Sequence, residues 1–182
     1  MKTGKNSLTP DQNIYLIGFM GAGKSTVGKI LAKKLNREFF DTDFIIEKKI
    51  GTSISQIFLL KGESFFRNIE STVVKEVAKN TGAVIALGGG AILSQANWEI
   101  IKNSGITIYL KWDIQLLLPR ILTDKTRPLV NNTLNNSGRT EIEEMLVQRE
   151  PFYKRADVIL ECKKYTKPSH IADQILIAIQ EG

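Results

Sequence analysis

Five short apolar runs punctuate the 182-residue chain: IYLIG at 14–18, EFFD at 38–41, AVIAL at 83–87, ITIYL at 106–110 and DVIL at 157–160. Each has the length of a strand and little alternation of polar with apolar positions, the pattern of strands covered on both faces. Between them apolar residues recur three and four apart, as in Val27, Ile30, Leu31 and Leu35, or Phe66, Ile69, Val73 and Val77. That period is helical. Strands alternating with helices predict a doubly wound α/β fold, a five-stranded parallel sheet in a three-layer α/β/α arrangement.

Two stretches depart from the simple alternation. Between EFFD and AVIAL the pattern predicts three helical pieces, Phe44 to Ile50, Ser53 to Leu60 and Glu63 to Ala78. One crossover needs fewer residues, so about 42–80 reads as an inserted helical region beside the site. The stretch TDKTRPLVNNTLNNSGRT, about 123–140, is rich in Asn, Thr and Ser, and is expected to form a mobile surface flap. The polar start MKTGKNSLTP reads as a loose leader over 1–11, without the apolar core of a secretory signal. No repeat and no linker divides the chain, so 1–182 reads as a single domain.

Residues 18–25, GFMGAGKS, follow the first predicted strand and open the first predicted helix. They match G-x-x-x-x-G-K-[ST], the loop whose backbone N–H groups cradle a polyphosphate. Glycines let the backbone approach the ligand, and the positive end of the following helix favours anionic oxygens. Gly21, Ala22, Gly23, Lys24, Ser25 and Thr26 are therefore the candidate contacts for ATP. Lys24 supplies a charge for the outer phosphates, and the Ser25 hydroxyl is placed to coordinate Mg²⁺.

Many switches, motors and kinases share this loop, so the rest of the chain must choose among them. No N-K-x-D guanine-reading motif is present, and AVIAL runs into Gly88, Gly89 and Gly90 where an ordinary ATPase would place a second metal-binding acid. The acid must come from FFDTD, which offers Asp41 and Asp43. Asp43 reads in two ways, as the N-cap of the helix that follows or as the group that engages an acceptor hydroxyl. Arg67, Arg127 and Arg149 are dispersed along the chain but able to converge on an acidic ligand through paired hydrogen bonds. The glycine run suggests backbone lying close to a ligand. His170 has no partner cluster and reads as a structural or surface residue, while Trp98 and Trp112 read as core.

Composition narrows the partners. A formal charge of +6 arises from 25 basic and 19 acidic residues that are scattered along the chain, which suits an anionic small molecule better than nucleic acid. No apolar run is long enough to cross a bilayer. The lone Cys162 excludes an internal disulfide or a cysteine metal knuckle, and fits a reducing, cytoplasmic setting. No apolar helix is left over for a partner, so a monomer is expected.

Taken in order, GFMGAGKST, FFDTD, GESFFRNIE, VIALGGGAI, RPLV and QREPFYKRAD closely resemble the shikimate kinase family, from about Ile14 to Ile179. The resemblance implies a P-loop kinase fold of the nucleoside monophosphate kinase-like branch, and transfer of the γ-phosphoryl of ATP to the 3-hydroxyl of shikimate. It implies Asp43 as the acid at the shikimate hydroxyls, Arg67 and Arg149 as the carboxylate grip, and Gly88, Gly89 and Gly90 as a turn lining the pocket, with Gly89 as the backbone contact. Asp41 matches the metal-shell acid and Arg127 the flap arginine that reaches the phosphates. Arg120, Thr166 and Pro168 fall where the family holds adenine, although many members carry an arginine just before that proline. The residues alone leave open a kinase for gluconate or a nucleoside monophosphate, a non-enzymatic ATP-binding regulator and an ATPase acting on nucleic acid.

Overall fold

A computed structural model describes residues 9–123 and 136–181. The order is β1 (Asn13–Ile17), α1 (Lys24–Leu35), β2 (Phe39–Asp41), α2 (Thr42–Ile50), α3 (Ile54–Val77) and β3 (Val84–Ala86). After a 3₁₀ turn at Ala91–Leu93 come α4 (Gln95–Ser104), β4 (Gly105–Trp112), α5 (Ile114–Thr123), α6 (Asn136–Tyr153), β5 (Val158–Cys162) and α7 (Pro168–Glu181).

All five strands pair in parallel in the order β2-β3-β1-β4-β5, as the apolar runs predict. Every residue of β1 is buried, because β1 has a strand on each side and helices above and below. Its one polar residue, Asn13, is satisfied by accepting from the Ala83 amide and donating to the Asn80 carbonyl. Parallel strands bring their carboxyl ends to one edge, and there the loops after β1, β2 and β3 meet, which is where α/β folds bind ligands. Asp41 lies opposite Ala86 in the register, so the last residue of β2 stands beside the exit of β3. Helix α1 sits close over the sheet because residue 28 is glycine; a Cβ there would lie 2.5 Å from the Phe39 ring.

The helical insertion follows the predicted pieces. A single helix is assigned over Ile54–Val77, but Gly62 is non-helical at φ 81°, which divides it where the sequence pattern divides. The two tryptophans and Cys162 are buried, and burial pushes the Cys162 thiol up to about 12 although Arg120 pulls it down. His170 is exposed. No helix among the described residues is long and apolar enough to cross a membrane.

Three local features differ from expectation. The last residues of the supposed leader are tied down: Arg37 donates to the Pro10 and Gln12 carbonyls, and the Gly82 amide donates to the carbonyl of Asp11. Helix α6 begins at Asn136, inside the stretch read as flap, because Ile142 is buried and Arg139 pairs with Glu143 one turn on. At the sheet edge, Ile159 of β5 is 43% exposed, so this strand is wetter than its apolar sequence implies.

Strands β4 and β5 are clamped at their start by Asp157, whose carboxylate accepts from the Thr107 amide, the Thr107 hydroxyl and Lys102. Burial raises its pKa, but the bonds from Lys102 and Thr107 outweigh that and leave it below the ordinary carboxylate value. A carboxyl lowered by folding adds stability above its unfolded pKa, and that stability fades as pH falls through the folded one. Asp157→Asn should therefore lower stability at pH 7 by about 1 kcal/mol. In urea titrations the deficit should shrink below about pH 4; a deficit independent of pH would contradict the charged clamp.

Candidate active site

The turn from β1 into α1 uses its glycines for torsion. Gly18, Gly21 and Gly23 have φ of 141°, 75° and 83°, which side chains rarely adopt. Gly23 is the N-cap of α1 and, having no side chain, makes no side-chain bond to the helix start. Lys24 folds back and donates to the carbonyls of Gly18 and Phe19, at 2.9 and 3.0 Å. Behind the loop, the buried Trp112 indole donates to the Ala22 carbonyl at 3.1 Å, and the Arg120 guanidinium lies 4.3 Å over the Trp112 ring. Trp112, read from sequence only as core, thus braces the loop from below and carries Arg120 at its rim.

A cavity of about 300 Å³ opens in front of this loop, lined by Gly21, Gly23, Lys24, Ser25, Thr26 and Arg120. Ala22 is buried and contributes its backbone to the brace. A second cavity of about 340 Å³ adjoins it, with Arg67, Glu70, Arg149 and Gly90 on its walls and Phe44, Phe58 and Phe66 giving an apolar side. Ser25, Asp41, Asp43, Met20 and Gly89 line both. The chain therefore builds a phosphate-type loop and an arginine pocket that share one wall, and the shared wall carries two carboxylates.

Asp41 and Asp43 divide the roles that sequence left open. The N-cap of α2 is Asp41, whose Oδ1 accepts from the amides of Asp43 and Phe44. Its Oδ2 accepts from the Ser25 hydroxyl at 2.5 Å. Asp43 lies in the first helical turn, and its carboxylate is not needed as the cap.

The glycine triplet after β3 has a steric reason. A Cβ on Gly88 would fall 2.5 Å from Asp43 Oδ1, and one on Gly90 would fall 2.4 Å from Arg67 Nη1. A Cβ on Gly89 would come within 3.7 Å of Arg149 Nη1. Gly88 and Gly90 are therefore the floor beneath Asp43 and Arg67, which could not lie there over a side chain, while Arg149 passes over Gly89 at ordinary contact distance. Gly89 and Gly90 line the arginine pocket as expected; Gly88 does not, since it lies beneath Asp43 and its amide donates to the buried Thr42 hydroxyl.

Arg67 is held in place on α3. Its Nε and Nη2 donate to Glu63, and its Nη1 donates to Glu70 at 2.8 Å. That leaves two of the five guanidinium N–H groups for a ligand. Burial lowers its pKa, but Glu70 and Glu63 more than reverse this. Glu70, which sequence reasoning passed over, is only 2% exposed, and its Oε1 has no hydrogen-bond partner among the described residues. Burial pushes its carboxyl up and Arg67 pulls it back, while Asp43 adds a further upward push. The signal for Glu70 was available in its spacing, three residues after Arg67 on one helix face.

Other expected residues fall elsewhere. Thr166 lies in the loop between β5 and α7, Pro168 is the exposed first residue of α7, and neither lines either cavity. Arg127 lies outside the described residues.

The comparisons with known proteins agree with this geometry. A family model described as Shikimate kinase matches residues 20–180. A shikimate kinase of Rippkaea orientalis is 44% identical over 179 residues, covering 98% of this chain and 92% of the relative. Among solved structures, a shikimate kinase from Acinetobacter baumannii in complex with shikimate superposes with a TM-score of 0.86 at 40% identity, covering 92% of each chain. The shikimate kinase of Aquifex aeolicus superposes at 0.78 with 34% identity, covering 92% of this chain and 96% of that one. With the loop, the paired carboxylates and the two arginines in the order and places described, the chain belongs to the shikimate kinase family.

Proposed function

We propose that this protein transfers the γ-phosphoryl group of ATP to the 3-hydroxyl of shikimate, giving shikimate 3-phosphate and ADP on the route to chorismate and the aromatic amino acids. The observation that carries this reading is the shared wall: Asp43 stands between a phosphate loop and a pocket with two arginines. A small acid with ring hydroxyls suits such a pocket, with its carboxylate at the arginines and one hydroxyl at Asp43.

The chain's own groups account for the chemistry by position and charge. Loop amides and Lys24 hold the phosphates in front of α1, with Arg120 at the nucleotide end. Arg67 and Arg149 fix the acceptor by its carboxylate, which sets the hydroxyl toward the loop. Asp43 accepts the hydroxyl's hydrogen bond, orients it for in-line attack and takes up its proton as the bond to phosphorus forms. Ser25 Oγ and Asp41 Oδ2, 2.5 Å apart at the cavity wall, are hard oxygen donors of the kind Mg²⁺ takes. They would hold the ion by few protein ligands, and it would supply neutralising charge at the phosphates.

Release of ADP measured against shikimate, gluconate and nucleoside monophosphates tests the reading directly. Turnover that depends on shikimate is expected; equal turnover with another acceptor, or with none, would contradict it. Asp43→Asn should keep nucleotide affinity within about twofold while turnover falls by roughly 10²- to 10⁴-fold. In Arg149→Ala, loss of a charge-assisted pair worth about 1.5–3 kcal/mol should raise the KM for shikimate roughly 10- to 100-fold and leave the KM for ATP unmoved. A parallel rise in both constants would show that Arg149 does not grip the acceptor.

A further inference from the structure

Helix α6, which supplies Arg149, ends one turn later at Tyr153. Its ring is fully buried and stacks on Tyr109, with centroids 5.2 Å apart and 28° between the planes. Packing of this kind would be served as well by phenylalanine. The hydroxyl, however, lies 2.5 Å from the carbonyl oxygen of Gly89 and donates to it across 64 residues of sequence. Arg149 and Tyr153 share one face of the helix at i, i+4, and the Arg149 guanidinium lies over the same glycine, 3.7 Å from where a Cβ on Gly89 would stand. The phenol therefore ties down the turn on which the guanidinium rests.

That link matters because, among the described residues, only two side-chain bonds reach the turn from other elements, this one and that of the Gly88 amide to the Thr42 hydroxyl. Gly88, Gly89 and Gly90 lack side chains, and glycine samples more backbone conformations than any other residue. The carbonyls of Gly88 and Gly90 accept from Ala91 and Leu93 within the turn itself. The Gly89 carbonyl is instead held from another element, by Tyr153. A peptide unit is planar, so fixing that carbonyl also fixes the direction of the Gly90 N–H on the opposite side of the bond.

We infer that Tyr153 is a positioning residue for the acceptor's carboxylate: its hydroxyl holds the Gly89–Gly90 peptide in a single arrangement beneath the Arg149 guanidinium before the acceptor arrives. The inference rests on the reading of this pocket as the shikimate site. Setting the donors in advance removes an ordering cost from binding, so the gain appears in affinity for the acceptor and not for the nucleotide. Burial pushes the Tyr153 hydroxyl up to about 12, with Arg149 drawing it down, so it stays a protonated donor through the neutral and mildly alkaline range.

The test is Tyr153→Phe, which removes one oxygen and keeps the stacked ring. The KM for shikimate should rise about tenfold, with the KM for ATP within twofold of wild type and the thermal midpoint lowered by only a few degrees. Either an unchanged KM for shikimate or a parallel rise in both constants would overturn the inference. Should that variant be lost to aggregation, p-aminophenylalanine at position 153 keeps a weaker donor on the same ring. A KM rise confined to shikimate then supports the inference, and no such split overturns it. Wild-type enzyme that fails to turn over shikimate would sink the underlying reading and this inference with it, a result separate from a wild type that works and a variant that matches it.

Discussion

The site depends on an absence of side chains at residues 88–90. Three charged groups from three helices, Asp43 on α2, Arg67 on α3 and Arg149 on α6, lie over one turn, and the first two can do so only because nothing projects from Gly88 and Gly90. Adding a Cβ at residue 88 or 90 would put carbon inside the contact distance of a carboxylate oxygen or a guanidinium nitrogen. The glycines of the phosphate loop serve a different purpose. There the requirement is a left-handed backbone at Gly21 and Gly23, which turns amides toward the cavity. Two glycine-rich segments thus build the two halves of one site, one through torsion and the other through space.

Convergence of like and unlike charges has an electrostatic cost that the structure distributes. Burial disfavours the ionisation of Glu70, and the neighbouring Asp43 adds to this. Arg67 relieves it by bonding Glu70 directly while Glu63 holds its other edge. Removing one partner from such a group leaves the other charge buried and uncompensated, so the cluster acts as a unit. The same bonds that stabilise the cluster also orient Arg67, which lines the pocket. Stability and recognition are therefore supplied by one set of contacts.

Much of this was legible in the sequence because it rests on local rules. Apolar runs of strand length gave all five strands within one to two residues, and the break between Leu60 and Glu63 anticipated the non-helical Gly62. The phosphate loop was legible from glycine and lysine spacing, and the missing acid after β3 pointed to Asp41 and Asp43 without choosing between them. What sequence left open were matters decided by contact between distant segments. Nothing local tells that Asp41 caps α2 and so leaves Asp43 to the pocket, or that Gly88 lies under a carboxylate instead of lining the cavity. Nor does periodicity show that the indole of Trp112 reaches a loop carbonyl 90 residues away. The start of α6 was missed because its first turns are polar; Ile142, the Arg139 ion pair to Glu143 and the bonds of both residues to Gln115 anchor them.

A structure of the protein with shikimate and a non-hydrolysable ATP analogue would test the account most directly. The account predicts the shikimate carboxylate between the guanidinium groups of Arg67 and Arg149, above Gly89 and Gly90, with a ring hydroxyl within hydrogen-bonding distance of Asp43 and facing the terminal phosphate. A carboxylate that touches neither arginine, or a hydroxyl turned away from both Asp43 and the phosphate, would contradict it.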